Sequence, residues 1–243
     1  MNDLIPDPQH LPAVSAATTR AVEDAIITRR SVRAYLPKPV PHELIERILA
    51  LAARSPSGTN TQPWKVTVLT GSAKEELSRK ILAVHNNPQE RALHKEAYPY
   101  YPVEWVSPYV DRRRKIGWDM YGLLGLTKDN KAGMHAQHGQ NYAFFGAPVG
   151  LMFTIDKVMQ QGSWLDYGMF LQTLMLAARA HGLDTCPQAA FNDFHSIILE
   201  HIGAGPQEVL VCGMSLGYAD NSQPISQLKT ERESVAGFTQ FME

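Results

Sequence analysis

The chain has 243 residues, 44% of them apolar, and a formal net charge of -1 at neutral pH. This length and composition are typical of one globular domain with a substantial core. The balanced charge gives no general positive field, so nucleic acid and an anionic membrane are excluded as expected partners. The two cysteines, Cys186 and Cys212, lie far apart in apolar stretches, which argues against a disulfide framework or a zinc site.

The amino-terminal segment Met1–Asp7 lacks a basic region followed by a long apolar core. No apolar run elsewhere reaches the length needed to span a bilayer. The sparse cysteines suit a reducing compartment. We therefore predict a soluble cytoplasmic protein.

Two amphipathic helices are predicted in the first quarter of the chain. In residues 20–30, Val22 and Ile26 lie on one face of such a helix. Residues 41–54 begin at a proline and repeat apolar side chains at helical spacing. Both apolar faces are expected to pack against a core.

The remaining elements mix strands and helices. Strands are predicted at residues 64–69, 149–155 and 208–215, and helices at residues 72–84, 164–181 and 194–201. The strand at 149–155 is almost continuously apolar, which predicts burial on both faces. This order indicates an α+β fold in which helices cover a sheet, built as one domain over residues 1–243.

Residues 86–140 differ from the rest of the chain because they are dense in aromatic and basic side chains. They include Trp118, Tyr121 and the run Arg112–Arg114. We interpret this segment as an insertion or cap. Its rings are suited to stacking on a flat, electron-poor ring, but packing of the cap onto the body explains each ring equally well.

Residues 218–243 form a sparsely apolar tail. Val235, Phe238 and Phe241 are too few to fold alone, but they are enough to pin an extended arm onto another surface. We predict that this arm docks rather than frays.

Residues 28–33, Thr-Arg-Arg-Ser-Val-Arg, place three guanidinium groups and a hydroxyl just after the first amphipathic helix. Arginine presents a planar fork of donors that binds a phosphate or a carbonyl edge through paired hydrogen bonds. The segment therefore predicts a clamp for a phosphate-bearing ligand. Taken alone, a solvated basic surface at a helix end remains the alternative.

A polar loop precedes the first predicted strand. Pro56 and Gly58 bend the chain there. Asn60 and Gln62 supply amide donors and acceptors suited to the edge of a heteroaromatic ring. A simple turn explains the proline and the glycine, but it does not explain both amides followed by Trp64.

The clamp and the loop, at this spacing, resemble the signature of the flavin-dependent nitroreductase family, an Arg-x-Ser-x-Arg motif followed by a Ser-Pro-Ser-x-x-Asn-x-Gln-Pro-Trp loop. Later stretches match in the family's order at residues 141–148, 182–187, 217–218 and 229–232. The resemblance runs from about Val22 to the carboxyl end. The long cap and the run at residues 162–166 look like the nitrobenzoate-reductase-like branch.

The resemblance implies a sandwich with a central, mostly antiparallel sheet and flanking helices. It also implies an intertwined homodimer, with FMN bound in the subunit interface and a swapped carboxyl-terminal arm, residues 218–243, embracing the partner. The implied activity is ping-pong hydride transfer from NADH or NADPH through flavin N5 to an electron-poor acceptor. Because the flavin carries this chemistry, no catalytic side chain and no metal are expected.

The family's flavin contacts map onto four segments. The resemblance assigns the clamp to Arg29, Arg30, Ser31 and Arg33, the loop given by the other subunit to Pro56, Ser57, Gly58 and Asn60, the stretch along the ring near N5 to Pro187, Gln188, Ala189 and Ala190, and a phosphate-binding pair to Lys229 and Arg232. Many bacterial members carry Glu-Gly where this chain has Ala189-Ala190, so a carboxylate is missing there. Gln172 is interpreted as either a core amide or a flavin-facing amide.

We predict that the protein reduces nitroaromatic compounds to hydroxylamines, with Trp118 and Tyr121 contacting the small aromatic substrate. The same scaffold supports reduction of quinones or enones and reductive dehalogenation of halophenols, which stay as alternatives. A non-catalytic flavin-binding module is a further alternative.

Overall fold

The computed structural model describes residues 13–243, so the prediction made for Met1–Asp7 lies outside the described residues. The elements are α1 (Ala16–Thr28), α2 (His42–Ala52), β1 (Lys65–Thr70), α3 (Gly71–His85), α4 (Pro88–Arg91), α5 (Tyr109–Leu123), α6 (Lys131–Gly139), β2 (Val149–Asp156), α7 (Gln161–Ala180), β3 (Asp184–Gln188), α8 (His195–His201), β4 (Glu208–Gly217) and α9 (Val235–Phe238). None of the helices in this part of the chain is long and apolar enough to cross a bilayer.

One antiparallel sheet organises the described chain, with strand order β1-β2-β4-β3. In the register, Val66 lies opposite Phe153, and Leu151 lies opposite Met214. Nearly every residue of β2 and β4 is buried, because helices cover both faces of the central strands. The predicted α+β fold with a mostly antiparallel sheet is confirmed.

Each face of the sheet carries its own core. On one face, α2 and α7 contribute Ile48, Phe170 and Leu174. On the other face, α3 and a short 3₁₀ segment after β3 contribute Ile81 and Phe191, among others. The Phe191 ring lies directly on β4, where any side chain larger than that of glycine at position 213 would place its Cβ 2.3 Å from the ring.

Within residues 13–243, α1 and one side of α7 expose apolar side chains. Val22 and Ile26 are 55% and 50% exposed, and α1 has no buried residue. The expectation that this helix packs its apolar face against a core is therefore not met within residues 13–243. On the neighbouring α7, Leu165 and Met169 are also exposed. We call these four side chains the α1–α7 face.

The start of the segment at residues 86–140 is fixed to the body. The Tyr98 hydroxyl donates a hydrogen bond of 2.5 Å to the carbonyl of Val211, and its ring meets Trp164 edge-on. The Asn192 amide donates a hydrogen bond of 2.8 Å to the carbonyl of Tyr98. The segment contains three helices, α4 to α6. Its role as a cap stays a prediction.

The tail divides into two parts. Leu36 donates a backbone hydrogen bond to Tyr218, and Tyr35 forms an antiparallel bridge with Ala219. Ile225 is buried. Residues 218–227 are therefore part of the chain's own fold, and only residues 228–243 have the exposed character expected of a docking arm.

Three histidines pack together where α3 meets α6. The rings of His85 and His135 stack with centroids 4.0 Å apart, and the ring of His138 is centred 5.6 Å from that of His85. Burial lowers the pKa of His85 and of His138, and the neighbouring histidines and Arg91 lower both further, while Asp193 opposes this at His138. The three histidines are up to 53 positions apart in the sequence, so no local pattern shows this cluster.

The histidine cluster should make the fold less stable in acid. Because the pKa of His85 is lowered below 6.5 in the folded state, the unfolded chain binds more protons there. The free energy of unfolding should then decrease as the pH falls below that value. We expect His85→Gln to reduce this loss, measured by urea unfolding at about pH 7.5 and about pH 5.5. The surface variant His181→Gln is the control, and a His85→Gln protein with the same pH dependence as the unmodified chain would contradict the prediction.

Candidate functional site

The predicted clamp runs alongside β3. Ser31 forms a parallel bridge with Thr185, and the backbone N–H of Val32 donates to the carbonyl of Thr185 over 3.0 Å. This pairing brings residues 29–33 next to the stretch that begins at Pro187. Two of the four segments that the resemblance assigns to flavin binding therefore meet within one chain.

The positive charges of Arg29 and Arg33 act on the buried thiol of Cys186. Burial raises the pKa of this thiol to about 11, and the two guanidinium groups and a hydrogen bond with Ser31 oppose that rise. Within residues 13–243, the guanidinium of Arg29 forms no hydrogen bond or ion pair, and that of Arg33 bonds only the carbonyl of Ser31, over 3.3 Å. Partly buried cations without protein anions favour an anionic ligand.

Arg30 faces away from these groups. Its guanidinium donates to the carbonyl of Ser226 and to the side chain of Asn221. These contacts tie the clamp segment to the first part of the tail. These two bonds use only part of the guanidinium's donors, so a contact of Arg30 with the flavin stays a prediction.

The loop after α2 is held against α7. The Ser55 hydroxyl and the Thr173 hydroxyl lie 2.8 Å apart, and the backbone N–H of Gly58 donates to the Asp166 carboxylate over 3.1 Å. Three non-glycine residues of the loop have positive φ angles, namely Thr59 at 50°, Asn60 at 60° and Gln62 at 49°. Such conformations cost about 1–3 kcal/mol each and persist only where the surroundings hold them.

Loop and clamp lie at opposite ends of α7. Asp166 contacts the loop, whereas Arg179 bonds Thr28 and Asp184 beside the clamp, over 3.1 Å in both cases. The 13 helical residues from Asp166 to Arg179 span about 20 Å. Within one chain, Gly58 of the loop and the clamp segment therefore contact α7 at points about 20 Å apart.

Gln172 lies near the middle of this span and is exposed. The interpretation of Gln172 as a core amide is therefore wrong, and a flavin-facing role stays a prediction. Met169, one turn away, and Leu165, two turns away, belong to the α1–α7 face.

The side chain of Gln188 serves the fold. Its amide donates a hydrogen bond of 2.7 Å to the carbonyl of Asn141, and its oxygen accepts one of 2.6 Å from the buried Ser215 hydroxyl. The side chain of Gln188 is thus engaged within the fold, and the role of its backbone at the flavin stays a prediction. Pro187 is exposed, and Ala189–Ala190 are partly exposed at the start of a 3₁₀ segment.

The predicted phosphate pair, Lys229 and Arg232, lines a cavity of about 620 Å³ between α5 and the tail. Arg112 of α5 pairs with Glu233, and Lys115 of α5 lies 3.5 Å from Glu231. None of the residues 29–33 lines this cavity. The chain alone therefore does not unite the pair with the clamp, because ion pairs hold the tail on α5.

The predicted substrate residues, Trp118 and Tyr121, lie on α5 with their rings edge-on and 6.1 Å apart, and Trp118 is 43% exposed. A smaller cavity of about 180 Å³ adjoins Ala189–Ala190 and is lined by Tyr100 and Tyr101. These two tyrosines therefore share a cavity with the predicted flavin stretch.

The donor set suits FMN. The clamp offers two partly buried guanidinium groups and a hydroxyl, and the nearby carboxylate of Asp184 is already paired with Arg179. Such a set can bind a phosphate dianion and the oxygen-rich edge of a pyrimidine ring. No carboxylate competes for the clamp within the described contacts of Arg29 and Arg33.

Comparison with known proteins supports the same conclusion. The 4-nitrobenzoate reductase of Pseudomonas putida is 46% identical over 220 residues, which cover 90% of this chain and 95% of that protein. The 4-nitrobenzoate reductase of Nocardioides sp. (strain LMS-CY) is 36% identical over 243 residues, covering 100% of this chain and 98% of that protein.

The fold agrees as well. The crystal structure of the FMN-dependent nitroreductase NfnB from Mycobacterium smegmatis in complex with NADPH matches with a TM-score of 0.87 and 30% identity, covering 93% of this chain and 99% of that one. Residues 26–218 match the model of the Nitroreductase family. The resemblance predicted from the motifs is confirmed, and this chain belongs to the nitroreductase family.

Proposed function

We propose that the protein is an FMN-dependent NAD(P)H oxidoreductase that reduces nitroaromatic compounds to hydroxylamines. The observation that carries the proposal is the pairing of the arginine clamp with β3, which gathers an anion-binding donor set beside Pro187–Ala190. The names of the relatives support the substrate class, and the NfnB structure supports the cofactor and the donor. When bound, FMN supplies hydride transfer between the reduced nicotinamide and the acceptor.

The chain's own residues are proposed to bind the flavin and to stabilise its reduced form. Arg29 and Arg33 are proposed to neutralise the phosphate and to stabilise negative charge on the pyrimidine edge of the reduced ring. Ser31 adds a hydroxyl donor. Backbone N–H groups near Ala189–Ala190 orient the ring, and Lys229 and Arg232 add positive charge to the phosphate site.

We infer that the enzyme is a homodimer in which each loop completes the partner's flavin site. Two observations and one geometric argument support the homodimer. The α1–α7 face is apolar and uncovered in the chain. The loop lies about 20 Å from the clamp along α7. A twofold axis near Gln172 would bring the loop of one subunit beside the clamp of the other, with Pro56, Ser57, Gly58 and Asn60 supplied in this way.

The cytoplasm is the compartment we propose, because it holds the reduced nicotinamides. Both cysteines are buried and unpaired, which suits a reducing environment. Residues 86–140 are proposed to act as the cap over the acceptor, and residues 228–243 as the swapped part of the arm.

The central test is a spectrum and an assay. Purified protein should show flavin absorbance and should oxidise NADPH only when 4-nitrobenzoate is present, with the arylhydroxylamine as product. Parallel assays with a quinone and a halophenol address the alternatives. If the enzyme turns over either compound faster than the nitroarene, that compound's class would be the proposed substrate instead. A colourless protein would refute the proposal that the protein binds FMN. A yellow protein that oxidises neither NADH nor NADPH with any acceptor would favour a flavin-binding module.

The cap should select the acceptor without affecting reduction of the flavin. Trp118→Ala and Tyr121→Ala should raise the KM for 4-nitrobenzoate by about 2- to 10-fold, because each removes an aromatic contact. The anaerobic rate of flavin reduction by NADPH should change little, and stopped-flow measurement separates the two half-reactions. Tyr101→Ala is the comparison, since Tyr101 lines the cavity beside Ala189–Ala190.

The exposed Tyr109→Ala serves as the control for loss of an aromatic side chain in the same segment. If Trp118→Ala and Tyr121→Ala slow both half-reactions equally, these rings support the structure rather than select the substrate. If only Tyr101→Ala affects the acceptor, selection belongs to the smaller cavity instead.

A further inference from the structure

The loop that the proposed function assigns to flavin binding is anchored by Asp166 of α7. The Asp166 Oδ2 accepts a hydrogen bond of 3.1 Å from the backbone N–H of Gly58. A Cβ added at Gly58 would lie 3.8 Å from the same oxygen. The loop backbone therefore rests directly against this carboxylate.

The rest of the loop is bonded mainly to itself. The N–H of Gln62 donates to the Ser57 hydroxyl over 3.0 Å, and the N–H of Asn60 donates to the Ser57 carbonyl over 2.9 Å. Within residues 13–243, the Gly58–Asp166 bond is the one hydrogen bond that joins residues 57–62 to another element. The tip of the loop is therefore oriented through a single side chain.

The loop also needs such an anchor. Thr59 and Asn60, which follow Gly58 directly, have positive φ angles that non-glycine residues rarely adopt. Both residues are exposed, so packing does not hold them. Strained backbone persists only where its surroundings fix it, and here the carboxylate of Asp166 supplies that constraint.

We propose that Asp166 is a positioning residue for flavin binding. From α7 it fixes the loop so that Ser57 and Asn60 present their polar groups to the FMN held by the other subunit. This inference rests on the proposed function. Since α7 also carries Leu165 and Met169 of the α1–α7 face, the same helix would form the subunit contact and set the loop beside it.

Three variants test the role. Asp166→Ala removes the acceptor, and Asp166→Asn keeps an oxygen acceptor without the charge. Asp156→Ala is the matched control, because the Asp156 carboxylate accepts a backbone N–H, that of Val158, over 3.0 Å in a turn after β2. FMN affinity is measured by titrating flavin-free protein with FMN and following flavin fluorescence. Thermal unfolding and light scattering of the flavin-free protein report on the fold and the dimer.

Loss of a hydrogen bond to a charged group should weaken FMN binding by about 10-fold in Asp166→Ala. Asp166→Asn should recover most of this, to within about 3-fold of the unmodified protein, and Asp156→Ala should bind FMN normally. The visible circular dichroism of the flavin should change in Asp166→Ala at saturating FMN, because the loop no longer orients its groups.

Each other outcome counts against the inference. Unchanged FMN affinity in Asp166→Ala would overturn it. Equal weakening in Asp166→Ala and Asp166→Asn, or a lower unfolding temperature or a dissociated dimer in Asp166→Ala, would show a structural role instead. An unmodified protein that binds no FMN would refute the proposed function itself, and the inference with it.

Discussion

Replacing Arg29 with alanine should yield a protein that loses its flavin during purification. Arg29 is partly buried, lies two residues before the bridge that joins Ser31 to β3, and forms no hydrogen bond or ion pair within residues 13–243. Removing a charge-assisted contact to a phosphate in such a site should cost about 2–4 kcal/mol of FMN binding free energy. Arg33→Ala should behave similarly. The measurement is the ratio of flavin to protein after purification, followed by FMN titration.

Two variants give this prediction its controls. Arg47→Ala removes an exposed arginine from α2 and should leave flavin content unchanged. Arg30→Ala should keep more flavin than Arg29→Ala, because Arg30 bonds the tail at Ser226 and Asn221 rather than the clamp. An Arg29→Ala protein with full flavin content and unchanged affinity would contradict the role of the clamp.

Two defective chains should repair one another when mixed. Suppose one chain carries Arg29→Ala and the other carries both Ser57→Ala and Asn60→Ala. In a mixed dimer, one site combines the two defects, while the other combines an intact clamp with an intact loop. Subunit exchange should therefore restore flavin binding to about half of the mixed dimers' sites, provided that the loop acts on the partner's cofactor.

The control for this exchange is a mixture of two chains that both carry Arg29→Ala, one with and one without an affinity tag. No dimer of that mixture has an intact clamp, so no flavin should return. Flavin recovery is measured on the mixed dimers after isolation by the tag. If the mixed pair of clamp and loop variants recovers nothing although its subunits exchange, the loop and the clamp do not meet across the interface.

The central strands and the site motifs could be predicted from the sequence because each is marked by a pattern within a short stretch of residues. The strand β2 is a continuous apolar run, and the clamp and loop are short motifs with fixed spacing. In contrast, β3 was not predicted, since its five residues include Pro187, which lacks the donor that a strand signal implies. Its pairing with Ser31 is a long-range contact that no local pattern shows.

Other features depended on surroundings that the sequence does not reveal. The apolar stripe of α1 predicted a buried helix, but Val22 and Ile26 remain exposed in the chain, because an apolar stripe does not tell whether its cover comes from the same chain or another. Nothing in the sequence shows that Arg30 bonds the tail while Arg33 bonds only the carbonyl of Ser31. Asp166 carried no signal, since its partner is a backbone N–H more than a hundred residues earlier.

The contacts that keep the tail on α5 have a consequence for assembly. The Arg112–Glu233 and Lys115–Glu231 pairs are exposed, and such pairs contribute about 0–1 kcal/mol each and weaken with salt. Phe238 and Phe241 farther along the tail stay uncovered. Only weak charge contacts therefore hold the last residues of the chain against α5 of the same molecule. Their exposed apolar side chains would be stabilised by burial against another surface. Rising ionic strength should thus favour exchange of this segment between neighbouring molecules, so that salt promotes the intertwined form.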